Sequence, residues 1–186
     1  YGSGKTHFLR HFMSLCRERR CVTSEVQLNK AIDYTKSLTV YKEVARKAQP
    51  PSSPGRGMQS LLNAAIEHVR DRAPEGMDPV QFVWMWIEAI GQQEFDLPEF
   101  ARLLQRALEA ALSGEESLFR VTSQWLAGGI NNRNLVKALP GDLLISSVSS
   151  SSHELFAKGM MLSLLQFIRR AGFTGTVVGY DEAEQG

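Results

Sequence analysis

Two short runs near opposite ends of the chain hold the residue types that phosphate chemistry uses: Gly2-Ser3-Gly4-Lys5-Thr6 and Asp181-Glu182. The first is the second half of the pattern Gly-x-x-x-x-Gly-Lys-Ser/Thr. Small residues there let backbone N–H groups close around phosphate oxygens, and a helix beginning at that point turns its positive end toward them. Lys5 is placed to reach the β- and γ-phosphates of ATP, and the Thr6 hydroxyl to complete the shell of a Mg²⁺ ion. At the other end, Asp181 would hold the same metal through water, while Glu182 would orient and polarise the attacking water for in-line displacement. The candidate set is therefore Gly2, Ser3, Gly4, Lys5, Thr6 and His7 for nucleotide binding, Thr6 and Asp181 for the metal, and Lys5 with Glu182 for catalysis. An ordinary glycine turn and a pair of solvated acids are the plain readings of the two runs. Their occurrence together argues against both. Glu184 is read as a solvated neighbour. His7 and His11 have the i, i+4 spacing of a metal pair, but no third ligand stands near them in sequence, so their imidazoles are read as surface or packing groups.

The elements that must position these residues follow from periodicity. Apolar Phe8, Leu9, Phe12, Met13, Leu15 and Cys16 recur at helical spacing from Gly4 to about Arg19. Cys21 to Leu28 is rich in strand formers, closed by Asn29, Lys30 and Asp33. From there to Gly172 almost everything reads as helix. Thr35 or Ser37 is expected to cap a helix through about Ala48, ended by Pro50-Pro51-Ser52-Ser53-Pro54-Gly55. Further helices are expected from Met58 to Arg72, after the Asp78-Pro79 and Asp96/Pro98 signals, and from Glu115 to Leu126. Gly128 and Gly129 should end the last of these, and Ser149 to Ser152 is read as weakly structured. A final helix from about His153 to Ala171, left by Gly172, leads to the strand Thr176 to Tyr180 and its acidic end. The expected fold class is α/β, a parallel sheet with residues 1–33 and 173–186 in a core and residues 34–172 as a mostly α-helical insertion. The two strands are expected to pair in parallel, with acids at the C-terminal edge where open sheets bind ligands.

Composition limits the partners. Lys+Arg 21 against Asp+Glu 20 leaves a formal charge of +1, so no global field attracts DNA, and any such partner needs a local patch. No apolar run reaches the length of a membrane span. Cys16 and Cys21 fit neither a zinc pair nor a disulfide framework and are read as buried thiols of a reducing cytoplasm. Arg17, Arg19 and Arg20 suit the negative end of a helix dipole, as do Arg169 and Arg170. Trp84, Trp86 and Trp125 are expected in the core. The sequence begins inside the glycine pattern, without Met, and is read as a fragment.

The strand Val177-Val178-Gly179-Tyr180 running into Asp181-Glu182 resembles the Walker B motif of NTPases that hydrolyse ATP with a glutamate, although Gly179 stands where a bulky residue is usual and is expected to loosen packing behind Asp181. With both motifs in place, the chain resembles the P-loop ATP-binding proteins encoded with bacteriophage-exclusion (BREX) defence systems. The resemblance rests on Tyr1 to Arg10, Ser24-Glu25-Val26-Gln27-Leu28, Trp125-Leu126-Ala127-Gly128 and Asp181-Glu182-Ala183-Glu184. It implies an AAA-like sheet, assembly into homo-oligomeric rings, other defence-system proteins as partners, and a role in phage defence or a related DNA-directed process. An ATPase driving conformational change is the leading expectation. A nucleotide-operated switch with little turnover is the alternative, and a small-molecule phosphotransferase is disfavoured because no acceptor site is recognisable.

Overall fold

The computed structural model describes residues 3–28, 33–51, 53–141, 143 and 153–182. Helix α1 (Ser3–Glu18) turns at Arg20, whose φ of 63° is left-handed, into strand β1 (Cys21–Leu28). Strand β3 (Gly175–Glu182) lies beside β1 in parallel, in a register running from Cys21↔Gly175 to Leu28↔Glu182. The expected parallel pair is present. On the other edge of β1 the two-residue strand β2 (Ala48–Gln49) pairs antiparallel through Thr23↔Gln49 and Ser24↔Ala48, giving the order β2-β1-β3.

The two-residue alternation of β1 sorts its side chains between two layers. Thr23 and Glu25 meet arginines of α1, whereas the Ser24 hydroxyl donates to the Val44 carbonyl on the opposite face. That opposite face is covered by α2 (Ser37–Lys47) and α8 (His153–Arg170). Behind them stand α3 (Met58–Arg70), α4 (Pro79–Gly91), α5 (Pro98–Ser113), α6 (Glu116–Leu126) and α7 (Arg133–Ala138). One continuous apolar cluster runs from Val22 on the sheet through Tyr41, Leu61, Ile87, Leu104 and Phe167. At its centre Trp125 is fully buried, edge-on to Phe156, and the Tyr41 hydroxyl donates to the Leu126 carbonyl at the end of α6. Trp84 and Trp86 are half-buried against the same cluster. Among the described residues no helix is long and apolar enough to cross a membrane.

Several local expectations are corrected. Neither Thr35 nor Ser37 caps α2; Lys36 occupies the N-cap without a side-chain bond, and Thr35 instead donates to Asp33 while Ser37 donates to Glu154. Asp78 does cap α4, accepting from the Val80 N–H, but Asp96 does not cap α5. Leu97 takes that N-cap position, and Asp96 accepts from Gln166 on α8, tying two helices together. Ala48 leaves α2 for β2, and α7 forms where only glycine and proline breaks were expected. Asn132 caps α7, accepting from the Asn134 and Leu135 N–H groups. Cys16 and Cys21 are free and half-buried rather than buried, and burial, followed by Cys16, pushes the Cys21 thiol above its ordinary range. Asn29, Lys30 and Ser149 to Ser152 lie outside the described residues.

Candidate functional site

The site is built where α1 begins and β3 ends. Because α1 runs back along the sheet, its first turn stands at the C-terminal edge of the strands, and three polar side chains along the helix meet partners on β1 and β3. Near the far end Arg17 donates to the Thr23 hydroxyl at 3.0 Å, and one level up Arg10 pairs with Glu25 at 3.3 Å. At the edge itself the Thr6 hydroxyl donates to Asp181 Oδ2 at 2.8 Å. The odd-numbered positions of β3 thus face α1, and Asp181 reaches Thr6 by strand alternation alone.

Gly179, two residues before Asp181, explains how the helix comes so close. Gly179 is buried, and a Cβ placed there would lie 2.5 Å from Met13 Cε and 2.7 Å from Leu9 Cδ1. The expectation that this glycine loosens packing is therefore reversed: the missing side chain is the space that Leu9 and Met13 fill. Met13 is 2% exposed. The other apolar residues of the helix face elsewhere. Phe8, Phe12 and Leu15 are exposed, with Phe8 and Phe12 stacked on one another, on the flank of α1 away from Arg10 and Arg17.

The candidate residues divide accordingly. Thr6 and Asp181, the expected metal pair, are brought together. Gly4 and Lys5 lie in the first turn of α1, both exposed, and Lys5 has no ion-pair partner among the described residues. Among the described residues nothing stands within 4 Å of a Cβ built at Gly4. Ser3 belongs to the helix by its backbone, and Glu182 is the last residue of β3. Gly2 and Glu184 lie outside the described residues. His7 and His11 are exposed, and no group of three metal-ligating side chains occurs among the described residues. The Arg10–Glu25 pair, which fixes α1 against β1 next to the site, was missed in the sequence. Its signal was available: Arg10 and Arg17 are seven residues apart on one side of α1, and Thr23 and Glu25 are two apart on one face of β1.

At the start of a 16-residue helix the structure thus sets a hydroxyl and a carboxylate from separate runs in contact, beside a lysine with no ion-pair partner among the described residues. A family model described as BREX system ATP-binding protein BrxC/D matches residues 1–185. Comparison with curated proteins and with solved structures gives no significant match. The match spans both motifs and the helical region between them, and the chain belongs to the BREX system ATP-binding protein family BrxC/D.

Proposed function

We propose that this chain is a P-loop NTPase unit, AAA-like in its sheet, which binds ATP at the start of α1 and hydrolyses it to drive a conformational change in a larger phage-defence complex. The hydrogen bond from Thr6 to Asp181 is the observation that supports this most directly, because it joins two nucleotide-binding motifs 175 positions apart. A hydroxyl and a carboxylate in contact are the donor set that Mg²⁺ selects, and each would exchange the other for the ion. When bound, Mg²⁺ supplies charge neutralisation at the β- and γ-oxygens. Lys5, exposed and without an ion-pair partner among the described residues, would bond the same oxygens, and the glycine run Gly2-Ser3-Gly4 with His7 after it would supply backbone N–H groups to them. Glu182 follows Asp181 on the strand and positions water for attack on the γ-phosphate.

On this reading residues 1–33 and 173–186 form the nucleotide core and residues 34–172 the helical insertion, which transmits the change in the sheet because it packs against it. The chain acts in the cytoplasm, in homo-oligomers and with other defence-system proteins. Glu182→Gln tests the hydrolytic step. The amide keeps the shape but not the basicity, so nucleotide binding should persist while single-turnover hydrolysis falls by about 100-fold or more. Hydrolysis at the wild-type rate would remove Glu182 from this role.

A further inference from the structure

One strand outward from Asp181 the sheet carries a second feature that nucleotide binding does not use. Gln27 is the register partner of Asp181 and Glu25 that of Gly179. Both line a cleft of about 380 Å³ on the α1 side of β1, with Arg10, Met13 and Arg17 from the helix, Lys47 from the end of α2 and Arg56 from the loop before α3. The lining thus holds Arg10, Arg17, Lys47 and Arg56 against the single carboxylate of Glu25. In a chain whose formal charge is only +1, this is a local concentration of positive charge.

How those charges are held matters more than their number. Glu25 neutralises Arg10. Arg17 is oriented by the Thr23 hydroxyl, a neutral acceptor, and has no carboxylate partner among the described residues. Lys47 and Arg56 have no carboxylate partner among the described residues. Among the described residues β1 has no strand partner on that edge beyond its two-residue pairing with β2. Three cations without a carboxylate partner among the described residues, from three different elements and one of them oriented in advance, form a receptor for an anion with several charged oxygens. We infer that this cleft is a second phosphate-binding site, separate from the phosphate loop, that takes the phosphate groups of a polyanionic ligand. Those groups come either from a nucleic-acid backbone or from a free polyphosphate.

The test uses the protein carrying Lys5→Ala, so that the phosphate loop contributes no lysine and the result does not depend on the nucleotide reading. Sodium tripolyphosphate is titrated by calorimetry and a fluorescein-labelled thymidine oligonucleotide by anisotropy, at several salt concentrations. Adding Lys47→Ala and Arg56→Ala should weaken binding by about tenfold or more and lower the salt slope by about two, one for each phosphate contact removed. Arg56→Ala alone, at an exposed loop side chain, should move the affinity in the same direction. Arg102→Ala, an exposed arginine on α5, should leave it within about twofold, as expected for a charge that touches no phosphate. Sensitivity of the oligonucleotide assigns the site to a nucleic-acid backbone, and sensitivity of tripolyphosphate alone assigns it to a free polyphosphate. If neither probe binds, or if Arg102→Ala weakens binding as much as the cleft substitutions, the inference is overturned.

Discussion

Substituting Gly179 probes the coupling between packing and chemistry. A Cβ at this position comes 2.5 Å from Met13 Cε, about 0.9 Å short of the 3.4 Å at which ordinary contact begins. Both obstructing atoms, Met13 Cε and Leu9 Cδ1, are tips of flexible side chains. Gly179→Ala should therefore be absorbed by rotamer changes at a cost below about 1 kcal/mol. Gly179→Val adds two further carbons that those tips cannot all avoid. Overpacking of about 1–3 kcal/mol, partly offset by the better strand propensity of valine, leaves a net loss of about 1–2 kcal/mol. The relief available is for α1 to move away from the sheet, and a movement of about 1 Å would break the 2.8 Å bond between Thr6 and Asp181. Misplacement of that size costs about 100-fold in rate. Urea denaturation and steady-state ATP hydrolysis on the same preparations supply both numbers. Adding Leu9→Ala to the valine variant should restore part of the turnover by returning space to the helix. A valine variant with wild-type turnover, or one that Leu9→Ala does not improve, would refute the claim that Gly179 sets the position of α1.

Two further outcomes concern the scaffold. Tyr41→Phe leaves the buried Leu126 carbonyl without its donor and should cost about 1–2 kcal/mol, lowering Tm by about 3–6 °C; an unchanged melting curve would show that the bond contributes nothing. His68 is held below its ordinary value of 6.5 by burial and then by Arg20 and Arg72, against smaller opposing effects of the Gly172 backbone and Asp71. The unfolded chain therefore takes up this proton first as pH falls. Stability is fully present above pH 6.5 and is lost as pH drops through the lower folded value. His68→Gln should flatten that decline in urea titrations between neutral and mildly acidic pH, and an identical decline would remove His68 as its source.

What the sequence revealed depended on the range of the cause. Periodicity located the core helices because each buries one face and the apolar pattern records which one, whereas in α1 the repeating Phe8, Phe12 and Leu15 are exposed and only Leu9 and Met13 of that repeat meet Gly179; β1 was marked by its strand-forming residues instead. The Asp78-Pro79 signal predicted a cap correctly because that bond spans two residues of backbone. Asp96 carried a similar signal, yet Gln166 lies 70 positions away and claimed its carboxylate. The two-residue β2 is too short to show a period and exists because the edge of β1 offers it partners. At the site, residue types alone nominated Thr6 and Asp181. That Gly179 brings the helix close, and that Arg10 and Arg17 lock it to β1, are facts of tertiary contact. The basic cleft was hidden for the same reason, since its four cations come from three separate stretches of a nearly neutral sequence.

On the proposed function the start of α1 binds the phosphates of ATP, with Lys5 as the cation on which that binding would rest. Equilibrium titration of the protein and of Lys5→Ala with a fluorescent ATP analogue in the presence of Mg²⁺ measures it directly. Loss of measurable binding in a variant with an unchanged circular dichroism spectrum is the predicted result. Binding with wild-type affinity would contradict the assignment of the site.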